Sequence, residues 1–198
     1  MPGLPSQIAE HAATLPEGTP IRANGLLHLG NRAAVDQALS RLVRRGLLLR
    51  VCRGVYMRPI ETRFGVRAPG AETVIEALSS LWGETIVPSG GAAANVLGLT
   101  TQVPVRLVYL TSGPNRVLRL YALIIRLLHA PRWQLVAPGR PAGLAIRALA
   151  WLGPAEVERN IERIERRLDR ADLAELAVIR SALPSWIATP LSALVAHG

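Results

Sequence analysis

Between Asn31 and Arg53 the chain carries nine residues suited to gripping a nucleic acid: Asn31, Arg32, Ala33, Gln37, Arg41, Arg44, Arg45, Arg50 and Arg53. A guanidinium offers a planar fork of donors that matches two phosphate oxygens or the O6/N7 edge of guanine, and a glutamine amide matches the N6/N7 edge of adenine. Gln37 therefore suits adenine, and Arg32 suits guanine or a phosphate. Small side chains at Ala33 and Ala34 would let a helix approach closely or meet a thymine methyl. Arg41, Arg44 and Arg45 suit phosphates, and Arg50 and Arg53 suit the backbone or the minor groove. Asp36, in their midst, opposes a polyanion.

Other chemistries are poorly supplied. The four histidines, His11, His28, His129 and His197, show no metal-ligand spacing, and all 23 basic residues are arginine. Without lysine there is no Schiff base, no phosphate-loop lysine and no lysine general base. Cys52 is the single cysteine, so no intrachain disulfide forms. Its neighbour Arg53 would lower its pKa, although a small apolar filler is the stronger reading. "SGGAAAN" (89–95) lacks the Gly-Lys-Ser/Thr ending of a phosphate loop, which leaves helix packing as its reading. Residues 85–155 hold no Asp or Glu, which excludes a carboxylate-metal nuclease site built from that block. The expectation is a protein that is not an enzyme, with no catalytic residues, no cofactor and no metal.

The elements that position the nine residues are legible in the pattern. "SQIAEHAATL" (6–15) and "ANGLLHLG" (23–30) read as short helices. "NRAAVDQALSRLVRRG" (31–46) reads as a third, capped by Asn31 and stopped by Gly46. Val35, Leu39, Leu42 and Val43 form its buried stripe, which leaves Ala33, Gln37, Ser40 and Arg44 on the opposite face with Arg41 beside them. "LLLRV" (47–51) and "VYMRP" (55–59) read as strands joined by "CRG", with Gly54 at the turn. Three helices followed by a hairpin make a winged helix-turn-helix.

Past a linker at 61–71, the chain from 72 to 198 reads as a mixed α/β domain ending in helices. Helices are expected at 71–83, 89–99, 142–153, 154–170, 172–183 and 190–197, and strands at 84–88 and 103–111. "RVLRLYALIIRLLHA" (116–130) follows a turn and reads as two strands bent near Tyr121 rather than as one helix. The fold class expected is α+β: a winged helix-turn-helix over residues 1–60 and a C-terminal domain over 72–198.

Charge is segregated along this layout. Residues 1–60 hold eight Arg against three acids, and residues 85–155 hold seven Arg against none. Residues 61–84 and 156–198 are weakly acidic, within a formal net charge of +9 overall. Two basic blocks suggest an anionic partner, either nucleic acid or an acidic protein face. Nothing at the N-terminus reads as a signal peptide, and stretches such as "LYALII" are too short to span a bilayer. A cytoplasmic protein with no membrane partner is expected.

"LSRLVRRGLLLRVCRGVYMRP" (39–59) followed by "GETIVPSGGAAANVLGLTTQVPVRLVYLTSGPNR" (83–116) resembles the AbiE-type antitoxins of type IV toxin–antitoxin (abortive infection) systems. The resemblance runs from about Ile21 to Gly153, with "SGGAAANVLGLTTQ" and "YLTSGPNR" its more specific segments. It implies a transcriptional autorepressor whose winged helix binds double-stranded DNA at its own operator, possible as a dimer. It also implies antagonism of a nucleotidyltransferase-like toxin, or protection of that toxin's nucleic-acid target, without a tight toxin complex. The alternative is a stand-alone regulator whose C-terminal domain binds a ligand or dimerises.

Overall fold

The computed structural model describes residues 3–102 and 106–195. The chain opens with helix α1 (Leu4–Thr14), the two-residue strand β1 (Ile21–Arg22) and a single 3-10 turn at Ala23–Leu26. Helix α1 starts two residues ahead of Ser6, with Pro5 in its first turn, where a missing N–H costs nothing. The helix expected at 23–30 shrinks to that 3-10 turn. One turn suffices because Ala23 and Leu26 already place their side chains in the core.

Helix α2 (Arg32–Arg44) follows, then strands β2 (Leu49–Cys52) and β3 (Val55–Met57). The Asn31 side chain accepts from Ala34 N–H at 2.9 Å, the cap expected of it. Gly46 and Gly54 both take positive φ, at 73° and 74°, where a Cβ would clash with the backbone. The sheet order is β1-β3-β2, antiparallel throughout. Ile8, Leu26, Val35, Leu39, Leu42 and Tyr56 meet in the core beneath it. This order of helix, strand, turn, helix and hairpin stands where the sequence predicts a winged helix-turn-helix.

Residues 61–71, expected as a linker, contain most of a hairpin instead: β4 (Ile60–Thr62) pairs with β5 (Gly65–Arg67) before α3 (Ala71–Trp82) begins. The chain continues through β6 (Ile86–Pro88), α4 (Gly90–Val96), β7 (Leu107–Thr111), β8 (Arg116–Leu120) and β9 (Leu123–His129). Tyr121, at φ 55°, makes the bend between β8 and β9, so the ambiguous stretch is two strands. Of the strand expected at 103–111, residues 103–105 lie outside the described residues. The four strands order as β6-β7-β9-β8.

Four helices complete the chain: α5 (Pro141–Leu152), α6 (Pro154–Glu165), α7 (Arg170–Ile179) and α8 (Ser185–Val195). Helix α6 stops earlier than its charge pattern suggests, and Asp169 opens α7 with a capping box to Asp172. Residues 196–197 of the last expected helix lie outside the described residues. The fold is mixed α+β, with N-terminal helices and strands and a helical C-terminal end.

Contacts divide the chain into two compact units. The first is Met1–Glu84 with Arg116–Arg126, and the second is Thr85–Asn115 with Leu127–Gly198. In the first, β8 lies against β2. Arg116 there stacks over the Trp82 ring at 4.1 Å, and its Nη1 and Nη2 donate to the two Glu84 carboxylate oxygens at 2.6 and 2.8 Å. In the second, α5 is buried along most of its length and packs closely on α4. Gly90 permits that approach, since a Cβ on it would run into the Arg147 carbonyl. Among the described residues no helix is long and apolar enough to cross a membrane.

Candidate nucleic-acid interface

Helix α2 buries Val35, Ala38, Leu39 and Leu42, so geometry at 100° per residue turns its remaining face to solvent. Ala33, Gln37, Ser40, Arg41, Arg44 and Arg45 are all exposed. Asp36, Gln37, Ser40, Arg41 and Arg44 line one shallow concavity. Arg44 also lines a second with Arg50 and Tyr56, so the helix face continues onto β2. A third, smaller hollow gathers Arg22, Asn24, Arg32, Arg53 and Trp82.

The nine predicted residues therefore divide into four sets. Asn31 is committed to the helix cap through its Oδ1. Arg32 is committed to a local pair, with Nε 2.9 Å from Asp36 Oδ2 and Nη1 donating to Asn24 Oδ1 at 2.6 Å. Among the described residues no carboxylate pairs with Arg41, Arg44, Arg45, Arg50 or Arg53. Gln37 and Ala33 lie on the same exposed helix face. Arg41 and Arg44 also sit in the last turn of α2, where a cation offsets the exposed carbonyls.

Sequence reasoning missed Arg22, Asn24 and Trp82 in the third hollow. The signal for Arg22 was available, since it is the outward residue of a strand whose inward partner is Ile21. Trp82 is 60 residues from Arg22, and no local pattern joins them.

Cys52 does not take the lowered pKa that a neighbouring arginine would give it, in keeping with the filler reading. Burial pushes its thiol above the usual cysteine value, outweighing the lowering by Arg116 and Arg50. Arg53 is not among the groups that act on it. Among the described residues no three of His, Cys, Asp and Glu gather closely enough to hold a metal ion.

The chain belongs to the family of unknown function DUF6088, whose model matches residues 7–176. That match covers both units, from α1 into α7. No curated protein and no solved structure matches the chain.

Proposed function

We propose that the first unit is a winged helix-turn-helix that binds double-stranded DNA, and that the protein is a transcriptional autorepressor acting at its own operator. One observation carries the reading: Arg41, Arg44 and Arg50 are exposed on contiguous surface without an acidic partner, while the one acid of α2 is occupied by Arg32. Unpaired arginines on a helix face and its neighbouring strand suit phosphates, and Gln37 and Ala33 face outward beside them to meet base edges. Arg53, at the turn between β2 and β3, extends the basic surface towards the minor groove.

The test is binding of the full chain to a fluorescent duplex from upstream of its own gene, followed by anisotropy over a salt series. Arg41→Ala, Arg44→Ala and Arg50→Ala should each weaken binding about tenfold and lower the salt slope by about 1. Unchanged affinity in all three overturns this docking mode.

The antitoxin role rests on the resemblance of residues 39–59 and 83–116 to AbiE-type antitoxins. In this reading the protein also counteracts a nucleotidyltransferase-like toxin, without forming a tight complex with it. Co-expression with the adjacent gene tests it: a toxic neighbour whose growth arrest is relieved supports the role, and a toxic neighbour left unrelieved ends it. The second reading, a stand-alone regulator with a ligand-binding C-terminal unit, is favoured by one feature, a cavity in the second unit lined by arginine.

A further inference from the structure

The hairpin of β4 and β5 buries little of its own surface. A two-stranded hairpin is marginal by itself in water and needs packing to hold. Here Ile60 is partly buried, and every residue from Glu61 to Arg67 is exposed. Phe64, the chain's single phenylalanine, lies at the tip with 86% of its surface exposed, more than any other large apolar residue described. The Arg63 guanidinium stacks over its ring at 4.6 Å. The tip is held in shape: Phe64 N–H donates to Thr62 Oγ1 at 3.2 Å, and that hydroxyl donates to the Gly65 carbonyl at 2.8 Å. The result is a fixed apolar knob that carries a positive charge.

Beside the hairpin lies a hollow of about 360 Å³. Ala9 and Ala13 of α1, Leu47 after α2 and Val66 of β5 contribute apolar wall. A cavity of about 150 Å³ already holds benzene, so a phenyl ring has ample room. Phe64 of the same chain is not part of the wall, and its ring stays in solvent.

Charge picks out what the hollow suits. Glu17 and Glu61 line it against one arginine, Arg58. The three concavities around α2 and the cavity of the second unit all hold more arginine than acid. Arg67 engages Glu17 at 3.5 Å, and among the described residues no arginine pairs with Glu61. Such a hollow repels a phosphate and suits an apolar group that carries a cation.

We propose that this face joins two copies of the chain, with Arg63 and Phe64 of each seated in the hollow of the other. Knob and hollow occur on the same unit, as a two-fold interface requires, because such a surface must complement itself. Phe64 leaves water among Ala9, Ala13, Leu47 and Val66, and Arg63 meets the uncompensated Glu61 of the opposite copy. Each contact is made twice across the axis, so each substitution is felt twice. The interface uses none of the residues assigned to DNA and stands or falls independently of that reading.

Sedimentation velocity of the full chain over a concentration series, without DNA, tests this. The wild type should pass from monomer to dimer as concentration rises. Phe64→Ser should weaken dimerisation at least about a hundredfold, since two rings per dimer stay in water. Phe64 buries little against its own chain, so the thermal midpoint of that variant should hold; if it falls, charge reversal carries the decision. Arg63→Glu and Glu61→Arg should each weaken the dimer at least about tenfold. Both changes in one chain should regain most of the loss, because the pairing is then reversed across the interface. A chain that stays monomeric at every concentration overturns the proposal. So does a dimer that Phe64→Ser leaves undiminished, or a double variant no tighter than the single ones. A monomeric wild type whose DNA affinity falls with Phe64→Ser also overturns it, and makes the tip a wedge between base pairs.

Discussion

Arg32 and Asp36 form an i,i+4 ion pair, Nε to Oδ2 at 2.9 Å, at the start of α2. Both side chains are about half exposed, so the pair adds little to stability. Its consequence is electrostatic. The single acid on the helix is drawn to Arg32, which also donates to Asn24, and the arginines further along are left uncompensated.

Removing that acid tests whether the face meets DNA. Asp36→Asn should tighten binding to the upstream duplex by about 1 kcal/mol, roughly fivefold at low salt, through loss of one repulsive charge. The gain should shrink as salt rises. Anisotropy titrations at two salt concentrations read both effects, and a weaker or unchanged affinity would place the duplex elsewhere.

Asn31 separates folding from binding. Its side chain caps α2 through Ala34 N–H, so Asn31→Ala should cost about 1 kcal/mol in urea unfolding. Asn31→Asp keeps an acceptor at the cap and should preserve stability. It also places a negative charge beside the end of α2 that the proposed docking sets in the groove, so DNA affinity should fall while the unfolding midpoint holds.

Glu84 receives both Nη groups of Arg116, which lies over Trp82. Both side chains of the pair are largely shielded, at 24% and 14% exposure, so salt screens them poorly. Glu84→Gln should destabilise the protein by about 1.5–3 kcal/mol, the worth of hydrogen bonds to a charged group. The loss should persist at high salt in a denaturant titration, unlike the loss of a surface pair.

Cys52 should be a slow nucleophile. Burial raises its pKa, so at pH 8 a smaller fraction is thiolate than in a free peptide. Alkylation by iodoacetamide should run more slowly in the folded protein than after denaturation in urea. The sign for stability follows from the same shift. The thiol is favoured in the fold, so its contribution is complete below the unfolded value of 9.0 and is lost as pH rises towards the higher folded one. A folded-state rate equal to the denatured one would contradict the burial.

Gly143 and Gly139 should respond differently to alanine. A Cβ on Gly143 would run into the Ala137 carbonyl and lie 2.7 Å from the Val136 carbonyl, both backbone atoms that cannot swing aside. Gly143→Ala should cost at least about 2 kcal/mol through overpacking of α5. Gly139 has open space around it and only a positive φ of 71° to defend, so Gly139→Ala should cost about 1 kcal/mol. Thermal unfolding of the two variants measures the contrast.

Local pattern was enough for what is decided within a few residues. The stripe of Val35, Leu39 and Leu42, the Asn31 cap, and the glycines at 46 and 54 define α2 and the β2–β3 turn, because cap, period and φ are properties of neighbouring residues. The bend at Tyr121 was legible for the same reason. The 3-10 turn at 23–26 was not, because how far a short helix extends depends on the core it fills. Nor was the hairpin at 60–67, whose side chains, Phe64 and Val66 included, lie largely exposed, so no core-facing alternation marks it.

The nine candidate residues were found by type and place, and their exposed face follows from the helix period alone. Tertiary structure decided how they divide. Arg32 is occupied because Asn24 folds back beside it, and Arg22 and Trp82 join the surface from distant positions. It also decided that, among the described residues, Arg147, one arginine of 23, is buried without a partner for Nε and Nη2. Charge can be counted along a chain, but desolvation and pairing depend on which atoms meet in space, and those contacts are made across the fold.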